Sequence, residues 1–216
     1  GTGASSRFDW AASGPMTYGG TGTFGTAVTP FGGVGMSANS PTGNNTTLNS
    51  PIFINRINFF NGGFINSGQI TLGNGGTSTT VIQIGNTTTP TNAGVFDVSP
   101  NHNAGSGGHV QTVLRTTTLN RVTGFEIPPS RTLTSLTYDD NAVGASLGLA
   151  GGNLTIAGAM ALTNGTLLTG SSKVIHNGAA TRTNGFIDGN LERSYTAVGS
   201  YTYSVGQNAF SPVVAN

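Results

Sequence analysis

Glycine interrupts this chain every few residues, 35 times in 216 positions. Each glycine inside a helix costs about 1 kcal/mol relative to alanine. No apolar periodicity near 3.6 residues is sustained between them, so helices are not expected. The stretch 153–170, NLTIAGAMALTNGTLLTG, shows what remains: short apolar alternations cut by Gly and Asn-Gly. Strands are expected over 51–60, 68–72, 80–84, 110–114 and 132–138, each alternating or β-branched and each bounded by Gly, Asn or Pro.

Stacked repeats follow from internal echoes. Residues 63–70 (GFINSGQI) return as 185–191 (GFIDGNL) with one residue inserted, and 94–97 and 124–127 are looser echoes. Recurring strand-turn units of roughly 25 residues imply about eight or nine stacked units. At the spacing of paired strands these would build a rod about 40 Å long. The expected fold class is therefore all-β, a right-handed parallel β-helix (solenoid). Threonine suits its pleated faces, and stacked asparagines can bond along its axis. Asn-Gly pairs at Asn61, Asn74, Asn164, Asn177 and Asn184 mark tight turns. Asn-Gly also favours hairpins, so an antiparallel β-sandwich is the alternative.

Residues 1–50 are glycine-rich with sparse aromatics, and read as irregular first coils, a cap or an assembly arm. Residues 51–216 read as the solenoid body, with 97–109 a loop projecting from it. The start at Gly1 suggests a mature or trimmed product, or a segment of a longer chain.

Charge is scarce. Only 7% of residues are charged, net charge is +1, Lys173 is the sole lysine and cysteine is absent. A nucleic-acid partner needs clustered cations to displace counterions, and the scattered arginines do not supply them. No run approaches the ~18 apolar residues of a membrane span. Disulfides cannot stabilise the fold, which leaves stacking of repeats.

The last third carries a resemblance. Residues 153–216, and above all 187–214 (IDGNLERSYTAVGSYTYSVGQNAFSPVV), combine a leucine-threonine ladder, a G-x-L turn, an aromatic strand, V-G and S-P-V. This pattern resembles modules of large secreted or cell-surface proteins common in the Bacteroidetes, similar to adhesins and autotransporter-type β-solenoids. The resemblance implies an extracellular or cell-surface location, and a place among further modules of a long protein. It implies no activity.

Individual motifs add little chemistry. Gly144-Ala-Ser-Leu-Gly148 matches a nucleophile elbow, but no helix start follows and no acid lies between Ser146 and His176. Gly20-Thr-Gly-Thr-Phe-Gly25 matches a dinucleotide fingerprint without a helix after it. Asp139, Asp140 and Asn141 could join backbone carbonyls around calcium, or simply close a strand with an Asx turn. His102, His109 and His176 lack metal-ligand spacing, and the first two read as exposed loop residues. Asp188 and Glu192, near Arg182 and Arg193, form the densest charged cluster, yet a glycosidase needs two carboxylates facing one bond. Trp10, Tyr195, Tyr201 and Tyr203 could stack on sugars, Tyr201 and Tyr203 sharing one strand face. Lys173 could in principle crosslink to an asparagine, beside Glu126 or Glu192.

The expected role is that of a non-catalytic structural component of a bacterial adhesin, fibre or extracellular filament. It would self-associate or join neighbouring modules through strand edges. The alternatives are a glycan-binding module using Trp10, Tyr201 or Tyr203 against surface glycans, and then a polysaccharide lyase or glycoside hydrolase. No catalytic residue and no cofactor are assigned, calcium being the one candidate.

Overall fold

The computed structural model describes residues 7–10, 16–19, 24–30, 32–36, 46–59, 63–77, 79–85, 96–115, 120–194 and 199–215. These residues are all-β with mostly parallel sheets, and no α-helix occurs among them. An eight-stranded sheet takes its strands in sequence order, from Arg7–Trp10 at one edge to Ala180–Arg182 at the other. Across it Phe8 pairs with Val34, then Ile57, Ile82, Gln111, Leu136, Met160 and Ala180 follow in turn. The steps are 26, 23, 25, 29, 25, 24 and 20 residues, and every pair is parallel. The chain thus leaves this sheet and re-enters it one position further on.

Between those visits the chain builds the other parallel sheets. In the N-terminal half, Ile52–Ile54, Ile70–Leu72 and Asn101–His102 form one, and Met16–Tyr18, Thr46–Leu48 and Phe64–Ile65 another. In the C-terminal half a seven-stranded sheet carries the ladder Arg121, Leu147, Leu167, Ile187, Val205.

Period-two alternation decides which side chains face inward. Along Thr80–Ile84, Thr80, Ile82 and Ile84 are buried and Val81 and Gln83 are not. Parallel register then stacks inward residues in columns such as Phe59, Ile84, Val113, Tyr138 and Leu162, all buried. Burying each such side chain contributes about 1.5–3 kcal/mol. Two apolar clusters result, one from Leu48 to Phe96 and one from Val113 to Ile187. In the first, Phe59 meets the edges of Phe64 and Phe96 at 5.7 and 5.2 Å.

Three expectations change. The antiparallel sandwich is excluded for the described residues, since strand pairing is parallel except where Tyr201–Tyr203 meets Val213–Ala215 and Gly206 bridges Phe210. Asn164-Gly165 turns the chain from strand Met160–Asn164 into Thr166–His176, which lie in different sheets, so it forms a corner and not a hairpin. Residues 97–109 do not project: Asn101–His102 pairs with Thr71–Leu72, and the Asn103 N–H donates to Leu72 O at 2.7 Å. Polar turn residues there suggested solvent, but their hydrogen bonds are spent on the preceding sheet strand. Within the first fifty residues, Arg7–Trp10, Met16–Tyr18, Gly33–Met36 and Thr46–Leu48 all join these sheets.

Candidate functional site

The C-terminal sheet contains a large irregularity. Thr166–Leu168 pairs with Phe186–Asp188, and pairing resumes as Lys173–Ile175 with Asn190–Glu192. Four residues, 169–172, therefore stand opposite Gly189 alone. Bulges of this kind re-aim side chains and recur beside functional sites. Gly189 has φ 117°, and a Cβ there would lie 2.1 Å from Thr169 Oγ1. That hydroxyl is buried and accepts the Asn190 N–H at 2.8 Å. The Asn190 amide donates to Ser172 O at 3.1 Å and fixes the far side of the bulge.

Beside the bulge opens a cleft of about 680 Å³, whose walls include Asn153, Ser172, Lys173, Asn190, Glu192 and Tyr203. Lys173 Nζ donates to Glu192 Oε2, with both side chains partly exposed. Such an exposed pair contributes little stability, but each member neutralises the other in the cleft. The Lys173 N–H donates to Asn153 Oδ1 at 3.1 Å. Tyr203 arrives from strand Tyr201–Tyr203, paired across to Val213, which also lines the cleft.

The structure separates the remaining predicted residues. Tyr201 lies outside the cleft, its ring 5.7 Å from the Arg193 guanidinium, which also donates to Gly178 O at 3.0 Å. Arg182 stacks on Phe210 at 3.3 Å. Asp188 accepts the Asn208 N–H at 3.1 Å while Glu192 is held by Lys173, so the two carboxylates are engaged apart. Trp10 ends strand Arg7–Trp10 opposite Met36, and its side chain lies outside the described residues, as do Tyr195 and residues 20–23 of the glycine motif. Ser146 is buried in strand Ser146–Gly148, and no helix follows it.

Asp139 and Asn141 both accept from the Asn164 amide, Asp139 at 2.7 Å, so a donor occupies the place between their oxygens. Asp140 alternates to the buried side, and its Oδ1 accepts the Ala142 N–H at 3.3 Å, an Asx turn. No cluster of three or more His, Asp or Glu suited to a metal occurs among the described residues.

The histidines are a correction. His102 and His109 are half-buried and meet edge to face at 4.9 Å, because the strand pairing of Asn101–His102 carries them against the sheet. His102 Nε2 donates to Phe125 O at 3.0 Å. Burial, then the neighbouring His102, pushes His109 down to about 4. His176 is buried and donates from Nε2 to Gly158 O at 2.8 Å.

No known family matches the chain. No curated protein and no solved structure matches it either. The site is therefore read from its own geometry. Sequence reasoning reached Tyr203, Lys173 and Glu192 but missed Asn153, Asn190 and the bulge. The available signal was Gly170 and Gly189 flanking polar residues within otherwise alternating strands.

Proposed function

We propose that the chain is a right-handed parallel β-helix serving as a non-catalytic structural part of an exported bacterial surface adhesin, fibre or filament. The observation that carries the reading is the parallel ladder from Phe8 to Ala180, re-entered every 20 to 29 residues. Parallel crossovers within one sheet are right-handed in nearly all proteins. Each repeat in such an array buries its apolar face only against its neighbours, which explains how a chain so short of charge and cysteine is stabilised. Its outward residues are largely Thr, Asn, Ser and Gly, so a rod of this kind keeps its shape across changes of salt.

The role is mechanical. Among the described residues Arg7–Trp10 is the terminal strand of its sheet and is paired on one side only. Unpaired edges recruit further strands unless charge or proline blunts them; this strand holds no proline, and its two charges, Arg7 and Asp9, are opposite in sign. At the opposite edge Arg182 is stacked on Phe210. The N-terminal edge is thus the one that joins a second copy or a neighbouring module outside the cell. Sedimentation of the purified chain tests this. Concentration-dependent association, insensitive to salt, is expected. A strictly monomeric species at high concentration, with or without neighbouring modules, overturns it.

A further inference from the structure

We propose that the cleft beside the 169–172 bulge binds a short, uncharged oligosaccharide. Its volume of about 680 Å³ lies in the range of small-molecule sites. Sugar recognition needs an aromatic face for the C–H side of a pyranose ring, and side chains that both donate and accept for its hydroxyls. Tyr203 supplies the first, half-buried with Val205 and Val213 beside it. Asn153 and Asn190 divide the second between them: the Asn153 oxygen accepts the Lys173 N–H and leaves its NH₂ to donate, while the Asn190 NH₂ is held by Gly170 O and Ser172 O and leaves its carbonyl to accept.

The electrostatics select the class. Lys173 and Glu192 are bonded to each other, so the cleft carries opposite charges already paired. An acidic sugar or a phosphate would have to break that pair to reach the lysine, whereas a hydroxyl can bond to both members without separating them. An extended peptide fits less well. Among the described residues, strand pairing on the outer side of Phe186–Glu192 reaches only Ile187 and Asp188. The three residues beyond Gly189 are too few for a ladder, and Asn190 spends its N–H on Thr169. The residues of the cleft come from chain segments about 20 residues apart, Asn153, Lys173 and Asn190. A ligand therefore lies across successive strands, held by the stacking that forms the sheet.

The inference does not rest on assembly, which sedimentation reads separately. Calorimetric titration of the whole chain with cello-, manno-, chito- and galacturonate hexasaccharides tests it. Saturable binding of at least one neutral hexasaccharide, little changed by salt, is expected. Tyr203→Ala should weaken it at least about tenfold, the scale of one lost aromatic contact, while Tyr203→Phe stays within about threefold. Ser171→Trp, an exposed bulge residue lining the cleft, fills it and should abolish binding with an unchanged circular dichroism spectrum. Binding of none of the neutral sugars, or of galacturonate alone, overturns the proposal. So does neutral-sugar affinity that survives both Tyr203→Ala and Ser171→Trp. Self-association that Ser171→Trp abolishes would assign the cleft to a second copy and overturn it equally.

Discussion

The Asn184 side-chain amide donates to the Asn164 amide oxygen at 3.0 Å, and Asn164 in turn donates to Asp139 at 2.7 Å. Three successive passes of the chain are joined by one polar file, 20 and 25 residues apart in sequence. Asn164 is its middle member, donor on one side and acceptor on the other. Asn164→Leu should therefore cost more than Asn184→Leu, because it strands three partners, Asp139, Asn141 and Asn184, and not one. These bonds are part-buried or exposed, and each contributes about 0.5–1.5 kcal/mol net. Urea denaturation of both variants measures the difference, with an unchanged slope indicating that stability alone has moved.

Next to Asn164 the backbone itself is constrained. Gly165 has φ 86°, and a Cβ there would sit 2.9 Å from Tyr138 Oη and 3.0 Å from its ring. Tyr138 is fully buried and cannot swing away. Gly165→Ala combines left-handed backbone strain of about 1–2 kcal/mol with a clash against a fixed ring. Gly170 has φ 55° but nothing within 4 Å of an added Cβ, so Gly170→Ala carries the strain alone. Thermal melting should rank Gly165→Ala well below Gly170→Ala, and equal effects would show that Tyr138 yields.

Acid should weaken the protein as soon as pH falls below the ordinary histidine value near 6.5. His102, His109 and His176 are all lowered chiefly by burial, His109 to about 4. The unfolded chain then binds more protons than the folded one between the ordinary histidine value near 6.5 and about 4, so stability rises with pH there. It is fully present above pH 6.5 and is lost as pH falls through that window. His109 is part-exposed, and solvent screening discounts its share to about 1–2 kcal/mol. Denaturation midpoints at a series of pH values measure this. His109→Gln should flatten the slope between pH 6.5 and 4.

The strands at 80–84 and 110–114 could be read from alternation because their inward residues, Ile82, Ile84 and Val113, sit at period two. The expected strand at 51–60 is two, Ile52–Ile54 and Arg56–Phe59, with the chain turning at Asn55 from one sheet to another. Direction of pairing was not legible in the same way. Alternation is identical for parallel and antiparallel neighbours, and Asn-Gly serves a corner as well as a hairpin. The cleft depended on register. Lys173 and Glu192 are 19 residues apart and meet only because Lys173 pairs with Asn190. Tyr203 could be singled out by type, but its separation from Tyr201 required the position of Arg193.

Asp97 shows the same dependence on register, and it yields a sharper test. Its Oδ1 accepts from the Ser67 N–H at 2.9 Å and the Ser67 hydroxyl at 2.7 Å, and its Oδ2 from the Asn66 N–H at 2.9 Å. Asn66 sits in left-handed conformation, φ 61°, a turn that presents both N–H groups to one carboxylate. Burial pushes the Asp97 carboxyl up, but the hydrogen bonds from Ser67, Asn66 and Val98 outweigh it and hold the group below its ordinary value. Its contribution is present above the unfolded value of 3.8 and is lost as pH falls through the lower folded value. Because both oxygens accept, Asp97→Asn should fail nearly as badly as Asp97→Ala: one oxygen becomes an N–H₂ facing a donor. Each should cost about 1–2 kcal/mol at neutral pH, and the difference from the parent chain should shrink below pH 3.8. A neutral-pH Asp97→Asn as stable as the parent would mean that one oxygen suffices and that the 66–67 turn is held by its own backbone.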